Sequence, residues 1–155
     1  MTAKNKKILI LFLLAVCLLL SYWIWLCLRP VEIVAVHQEN NYSDVLVRSF
    51  PPTDKGKIAW WLKNKDMLKE KYDIPKPSSY EYFTVIFWEF GDGYKEEGKY
   101  DRLCFKDMKP PINCIEKDAI FSVDKSRNMG IMFTVYDGDN YRLDQNGDII
   151  KVASD

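Results

Sequence analysis

From Ile8 to Leu28 the chain carries 21 consecutive residues without a charge. That run limits what the remainder can become. About 20 residues of helix reach across the roughly 30 Å of hydrocarbon in a bilayer. Tyr22, Trp23 and Trp25 gather near its far end, where amphipathic rings favour the membrane–water interface. Arg29 stops the run and Pro30 discourages further helix. Lys4, Lys6 and Lys7 precede it, so the positive-inside rule puts the N-terminus in the cytoplasm and residues from 31 onward outside. A cleaved signal is the weaker reading, because its apolar region is shorter and ends in small residues. No A-x-A follows this run, and Val16 before Cys17 makes a poor lipoprotein site. The expected layout is therefore a cytoplasmic N-terminus (1–7), a transmembrane anchor (8–28) and an exported domain (29–155).

The chain has 22 basic and 22 acidic residues, but that balance includes the three N-terminal lysines. From Arg29 onward 19 basic residues face 22 acidic ones, a net charge of −3. With its basic residues dispersed, the domain lacks the basic patch that nucleic-acid binding needs. Its length, near 125 residues, suffices for one core. Cys17 and Cys27 fall in the anchor and are expected to pack as small apolar groups. Cys104 and Cys114 are the only two cysteines of the exported domain, and in an oxidising compartment such a pair is expected to form a disulfide. Two free thiols or a metal pair are the alternatives, although no His or further Cys lies near enough in sequence for a zinc site.

The β-branched runs "VEIVAVHQ" (31–38) and "SDVLVRSF" (43–50) read as a hairpin across the polar "ENNY". "PPTDKGKIAWWLKNKDMLKEKYDIPKP" is the one helix: Thr53 or Asp54 can cap it, and Pro75 and Pro77 end it. Ile58, Trp61, Leu62, Leu68 and Tyr72 make its apolar stripe, with Gly56 a mild defect near the first turn. "YEYFTVIFWEF" (80–90) is apolar at odd and even positions, as in a central strand covered on both faces. "KYDRLCF" and "AIFSVDK" are strand candidates around the cysteine loop, and "GIMFTVYD", "NYRLDQ" and "DIIKVA" form a closing meander. Asn146-Gly147 points to a type I′ turn with both residues at positive φ. The expected class is α+β: an N-terminal transmembrane helix, then a predominantly antiparallel sheet with one packed amphipathic helix.

Chemical motifs are sparse. Asp144, Asn146 and Asp148 have the alternate spacing of a calcium loop, but Ile149 stands where that loop needs glycine and no Glu follows. His37 is the single histidine and lies on a strand with no local partner, which points to a structural or surface role. Glu89 with Asp92, and Glu96 with Glu97, read as solvated acidic pairs near turns rather than as an acid and base. No glycine-rich phosphate loop follows a strand and opens a helix. Asn41-Tyr42-Ser43 is a formal glycosylation acceptor, meaningful only in a eukaryotic secretory route. Adjacent Trp60 and Trp61 lie about 100° apart on a helix, so Trp61 is expected inward and Trp60, with Met67, on a flank. Since Trp, Tyr and Met are enriched at interfaces, Trp60, Met67 and Tyr94 are the candidate partner contacts. No catalytic, metal or cofactor-binding residues are expected.

The segments "RPVEIVAVHQ", "VLVRSFPPTDKGKIAWWLKNKDMLKEKYDIPKP", "FWEFGDGYK", "YDRLCFKDMKPPINCIEK" and "SRNMG" resemble the enterobacterial putative membrane protein family of unknown function. The resemblance covers nearly the whole chain. It implies a Gram-negative inner membrane, with the exported domain in the periplasm, and carries no known catalytic residues. In size and layout members of that family resemble immunity proteins against toxins delivered to the periplasm, including by type VI secretion. The expected function is a membrane-tethered periplasmic binding protein that captures a protein partner, a secreted toxin first among them. The alternative is an accessory structural subunit of an envelope complex. No enzymatic activity is expected.

Overall fold

The computed structural model describes residues 1–153. Helix α1 spans Ala3–Leu28, and the Thr2 hydroxyl caps it by accepting from the Asn5 N–H. It therefore starts five residues before the uncharged run and takes Lys4, Lys6 and Lys7 into its first turns. Its apolar window is unburied, so none of the other described residues covers it. Arg29 turns to extended backbone, and the first strand begins three residues later.

The domain is built on a seven-stranded sheet. Strands β1 (Glu32–Glu39) and β2 (Tyr42–Arg48) form the expected hairpin, with Asn40 at φ 57° in the tight turn. Helix α2 (Asp54–Tyr72) then crosses over to β3 (Phe83–Glu89), which pairs parallel with β2. A parallel pair needs such a crossover, and the helix supplies it. Strands β4 (Arg102–Cys104) and β5 (Cys114–Glu116) make a separate two-stranded ladder. The chain returns through β6 (Ala119–Ser126), which pairs antiparallel with β3, and finishes as the meander β7 (Gly130–Val135), β8 (Asn140–Leu143) and β9 (Ile149–Val152). The spatial order is β1-β2-β3-β6-β7-β8-β9, so the class is α+β as expected.

Strand alternation divides the sheet into two faces. On one, Val45, Val47, Val85, Phe87, Phe121, Val123 and Phe133 pack beneath Ile58, Trp61 and Leu68 of α2. On the other, Leu46 and the half-buried Trp88 meet Phe105 and Ile115 from the β4–β5 hairpin. β3 is thus covered on both sides, as its unbroken apolar middle implied. The Cys104–Cys114 disulfide joins directly paired residues and closes the hairpin.

Both ends of α2 are capped. Of the two candidates Thr53 is the cap: its hydroxyl accepts from the Gly56 N–H at 3.0 Å. A Cβ on Gly56 would press on that hydroxyl at 2.8 Å, so glycine here is a requirement of the cap rather than a defect. The helix ends before Pro75, at Asp73 in the left-handed region (φ 55°), whose N–H reaches the carbonyls of Leu68 and Lys69. The Ile74 N–H also returns to Leu68, and both side chains are fully buried in one core.

The β8–β9 connection departs from the type I′ expectation. Gly147 takes φ 86°, while Asn146 keeps the ordinary negative φ. The turn is longer: the Asp144 carbonyl accepts from Gly147, and one Asp144 carboxylate oxygen accepts from the N–H groups of Asn146 and Asp148. An aspartate hydrogen-bonded to its own turn lets Asn146 stay in common backbone space. That carboxylate oxygen is committed to the turn, which explains the Asp-x-Asn-x-Asp spacing without a cation.

Candidate functional site

Helix α2 packs on the sheet nearest β7, where Phe133 and Val135 are buried with Ile58, Trp61 and Leu68. By alternation and register Tyr141 and Leu143 of β8 and Ile149 of β9 face the same side. Between these outer strands and α2 run two adjoining hollows. One, of about 490 Å³, is lined by Lys55, Ile58, Ala59, Leu62, Tyr141, Ile149 and Lys151. The other, of about 350 Å³, extends past Lys65, Asp66 and Lys69 to Ile131 and Leu143. Leu62 borders both, so they form one trough.

This explains the one residue of the apolar stripe that misses the core. Leu62 was expected to be buried with Ile58, Trp61 and Leu68, yet it is 37% exposed, and Ile149 facing it is 36% exposed. The periodicity of α2 is written for a wider cover than the domain itself provides.

The N-terminal end of the trough is rigid. Asp54, in the first turn of α2, accepts from the Tyr141 hydroxyl at 2.8 Å and from the Asp139 N–H at 3.1 Å. Those bonds tie the helix to the β7–β8 turn. The Asp54 hydrogen bond, with burial second, pushes the Tyr141 phenol up to about 12. Gly138 lies against the same carboxylate, where a Cβ would overlap its oxygens. Lys57 is buried beside this corner, and the loss of water lowers its ammonium from the usual lysine range, against the pull of Asp54 and Asp137.

A second cluster lies across the sheet. His37, on β1, is 8% exposed and stacks on Phe105 at 3.8 Å between ring centroids. Its Nδ1 is 2.8 Å from the Asp107 carboxylate and its Nε2 is 2.9 Å from the Tyr94 hydroxyl. With the carboxylate accepting, Nδ1 donates. The histidine finds its partners 57 and 70 residues away in sequence, in keeping with the absence of a local one. Asp44 lies opposite His37 across the ladder and accepts from the Trp88 indole at 2.8 Å. Burial raises its carboxyl above the usual range, opposed by that hydrogen bond and by His37. Desolvation and then the Asp107 charge raise the Tyr94 phenol. Both ring nitrogens of His37 are engaged, so what the cluster can do is clasp the segment after Cys104 onto β1. A hollow of about 290 Å³ opens beside it, between Asp44, Glu39 and Asp107.

The expected contact residues do not form one surface. Trp60 packs half-buried against Phe50 and Phe87, with centroids at 5.2 and 5.7 Å. Its neighbour Trp61 is 4% exposed, inward as expected. Met67 stands exposed on α2. Tyr94 belongs to the other face, half-buried in the His37 cluster. The trough residues Leu62, Tyr141 and Ile149 were not singled out from the sequence. Leu62 sat in a stripe that read as core, and a four-residue strand such as β9 leaves too short a pattern to assign an exposed face.

An apolar helix long enough to cross a bilayer, joined within three residues to an α+β domain, defines a membrane-anchored protein with a globular head. Residues 2–153 match the family model described as "Enterobacterial putative membrane protein (DUF943)", and the chain belongs to that family, whose function is unknown. No curated protein and no solved structure matches the chain.

Proposed function

We propose that this protein is a membrane-tethered periplasmic binding module. Residues 8–28 anchor it in the inner membrane, Lys4, Lys6 and Lys7 keep the N-terminus cytoplasmic, and the domain captures a protein partner, in an immunity-type role against a delivered toxin. The observation that carries this reading is the apolar trough between α2 and the outer strands, where Leu62 and Ile149 stay exposed, because exposed apolar surface at a trough is where protein interfaces form. The disulfide-closed hairpin supports an oxidising compartment. The short tether supports action near the membrane, where it raises the effective concentration against a membrane-bound partner.

Affinity capture of the full-length protein from detergent-solubilised membranes tests this, in cells that carry the neighbouring genes. The expected result is one stoichiometric protein that kills cells lacking this chain and is harmless once the chain is restored. Capture of such a protein with no toxicity removes the immunity role. An empty capture removes the binding reading.

The unburied surface of α1 supports a second role, as an accessory subunit packing its span against other spans of an envelope complex. Exchanging residues 8–28 for an unrelated anchor separates the two. Simple tethering keeps function, whereas span-mediated assembly loses it.

A further inference from the structure

The hollow beside the His37 cluster holds a charge that nothing balances. Asp44, on β2, lines it from the sheet side, directly across the ladder from His37 of β1. The segment from Leu103 to Asp107 forms the opposite wall, and the space is about 290 Å³. Three carboxylates line it, but two are already matched. Glu39 holds Lys106 at 2.7 Å, and Asp107 holds His37 Nδ1 at 2.8 Å. Asp44 differs. One of its oxygens accepts from the Trp88 indole at 2.8 Å; among the described residues the other has no donor, and no lysine or arginine pairs with it. Burial raises its carboxyl above the usual range, against the Trp88 hydrogen bond and His37, and the charges of Glu39 and Asp107 raise it further. A carboxylate taken out of water beside like charges costs free energy unless a cation reaches it. An asparagine would keep the indole bond without that cost, so the fold itself does not need the charge.

We propose that this hollow is a binding site for one organic cation, an alkylammonium or guanidinium group, which donates to the open oxygen of Asp44. Leu103 and Phe105, whose ring stacks on His37, supply apolar wall for the methylenes behind the charged head. A metal ion fits less well. Among the described residues no three metal-ligating side chains converge, and both nitrogens of His37 are engaged. The inference goes beyond the binding-module reading and stands without it, because the same head is carried by an arginine or lysine of a protein partner and by a free amine.

Titration of the full-length protein in detergent micelles tests this, with ethylguanidinium and n-butylammonium as probes and n-butanol as the uncharged control. The Trp88 indole N–H, which donates to Asp44, is followed by NMR. Both cations should shift that signal saturably and n-butanol should not. Asp44→Asn should raise the half-saturation concentration roughly tenfold, while the signals of the other four tryptophans stay in place and show that the variant is folded. Lys106→Glu, at an exposed position, exchanges the one ammonium at the hollow for a carboxylate and should tighten binding roughly threefold. A shift that does not saturate, an equal shift from n-butanol, or binding unchanged by Asp44→Asn or by Lys106→Glu overturns the proposal. Capture from cells that carry the neighbouring genes then separates the sources. A partner yield lowered roughly tenfold by Asp44→Asn assigns the cation to the partner protein, and an unchanged yield assigns it to a free amine. An empty capture from the wild type removes the binding module and leaves the cation site to the titration.

Discussion

Replacing Gly138 with alanine tests the corner that fixes α2 to the sheet. A Cβ there would overlap the Asp54 carboxylate, so Asp54 must swing away from the two donors it holds, the Tyr141 hydroxyl and the Asp139 N–H. Hydrogen bonds to a charged acceptor are worth about 1.5 to 3 kcal/mol each. The site is half-buried and water recovers part of that, so a loss of about 3 kcal/mol is the working figure. Alanine returns about 0.4 to 1 kcal/mol by stiffening the unfolded chain. Gly138→Ala should therefore cost about 2 to 3 kcal/mol, a fall in Tm of roughly 8 °C for a domain of this size. Asp54→Ala removes the same two bonds and part of the favourable charge at the helix start, so it should cost about 3 kcal/mol. The decisive variant is the double one. Once Asp54 is gone the added methyl meets nothing, so the pair should cost about as much as Asp54→Ala alone. Independent sites would instead sum to about 5 to 6 kcal/mol. Near-UV circular dichroism of the full-length protein in detergent micelles, followed through thermal melting, measures all three. An additive double variant, or a Gly138→Ala protein as stable as the wild type, would refute the geometry of this corner.

The disulfide joins residues 10 apart, so on loop entropy Cys104→Ser with Cys114→Ser should lose about 3 kcal/mol of stability; an unchanged urea midpoint, with and without reductant, would show that the bridge contributes nothing. Asp44 has a raised carboxyl, so its folded-state preference for the proton favours folding at acid pH and is lost as pH rises through the raised value. Asp44→Asn keeps an acceptor for the Trp88 indole, and should gain stability at about pH 7 and little or none at about pH 3; an equal gain at both, read from urea midpoints, would exclude an ionised buried carboxylate. Thr53→Ala removes the cap of α2 and should cost about 1 kcal/mol, checked by the same melts.

Several parts of this protein are written in short stretches of sequence. The uncharged run, the capping threonine, the β-branched hairpin and the unbroken apolar middle of β3 each depend on neighbours within a few residues, where helical and strand periods show directly. The pairing of Cys104 with Cys114 followed from there being only two cysteines after the apolar helix. Local rules were less reliable at Asn146-Gly147, because a single carboxylate, that of Asp144, changed the turn.

What the tertiary structure alone decided is everything that depends on where α2 comes to rest. The parallel pairing of β2 with β3 places the helix over the middle of the sheet, and this turns Leu62 from a core residue into the wall of a trough. The same long-range pairing brings Tyr94 and Asp107 to His37 across 57 and 70 residues of chain. No spacing in the sequence encodes such a meeting, because contact across a sheet depends on strand order and register, not on separation along the chain. By itself the sequence determined an anchor, a disulfide and an α+β head; the apolar trough beside α2 exists because one helix, about 10 Å across, cannot cover seven strands.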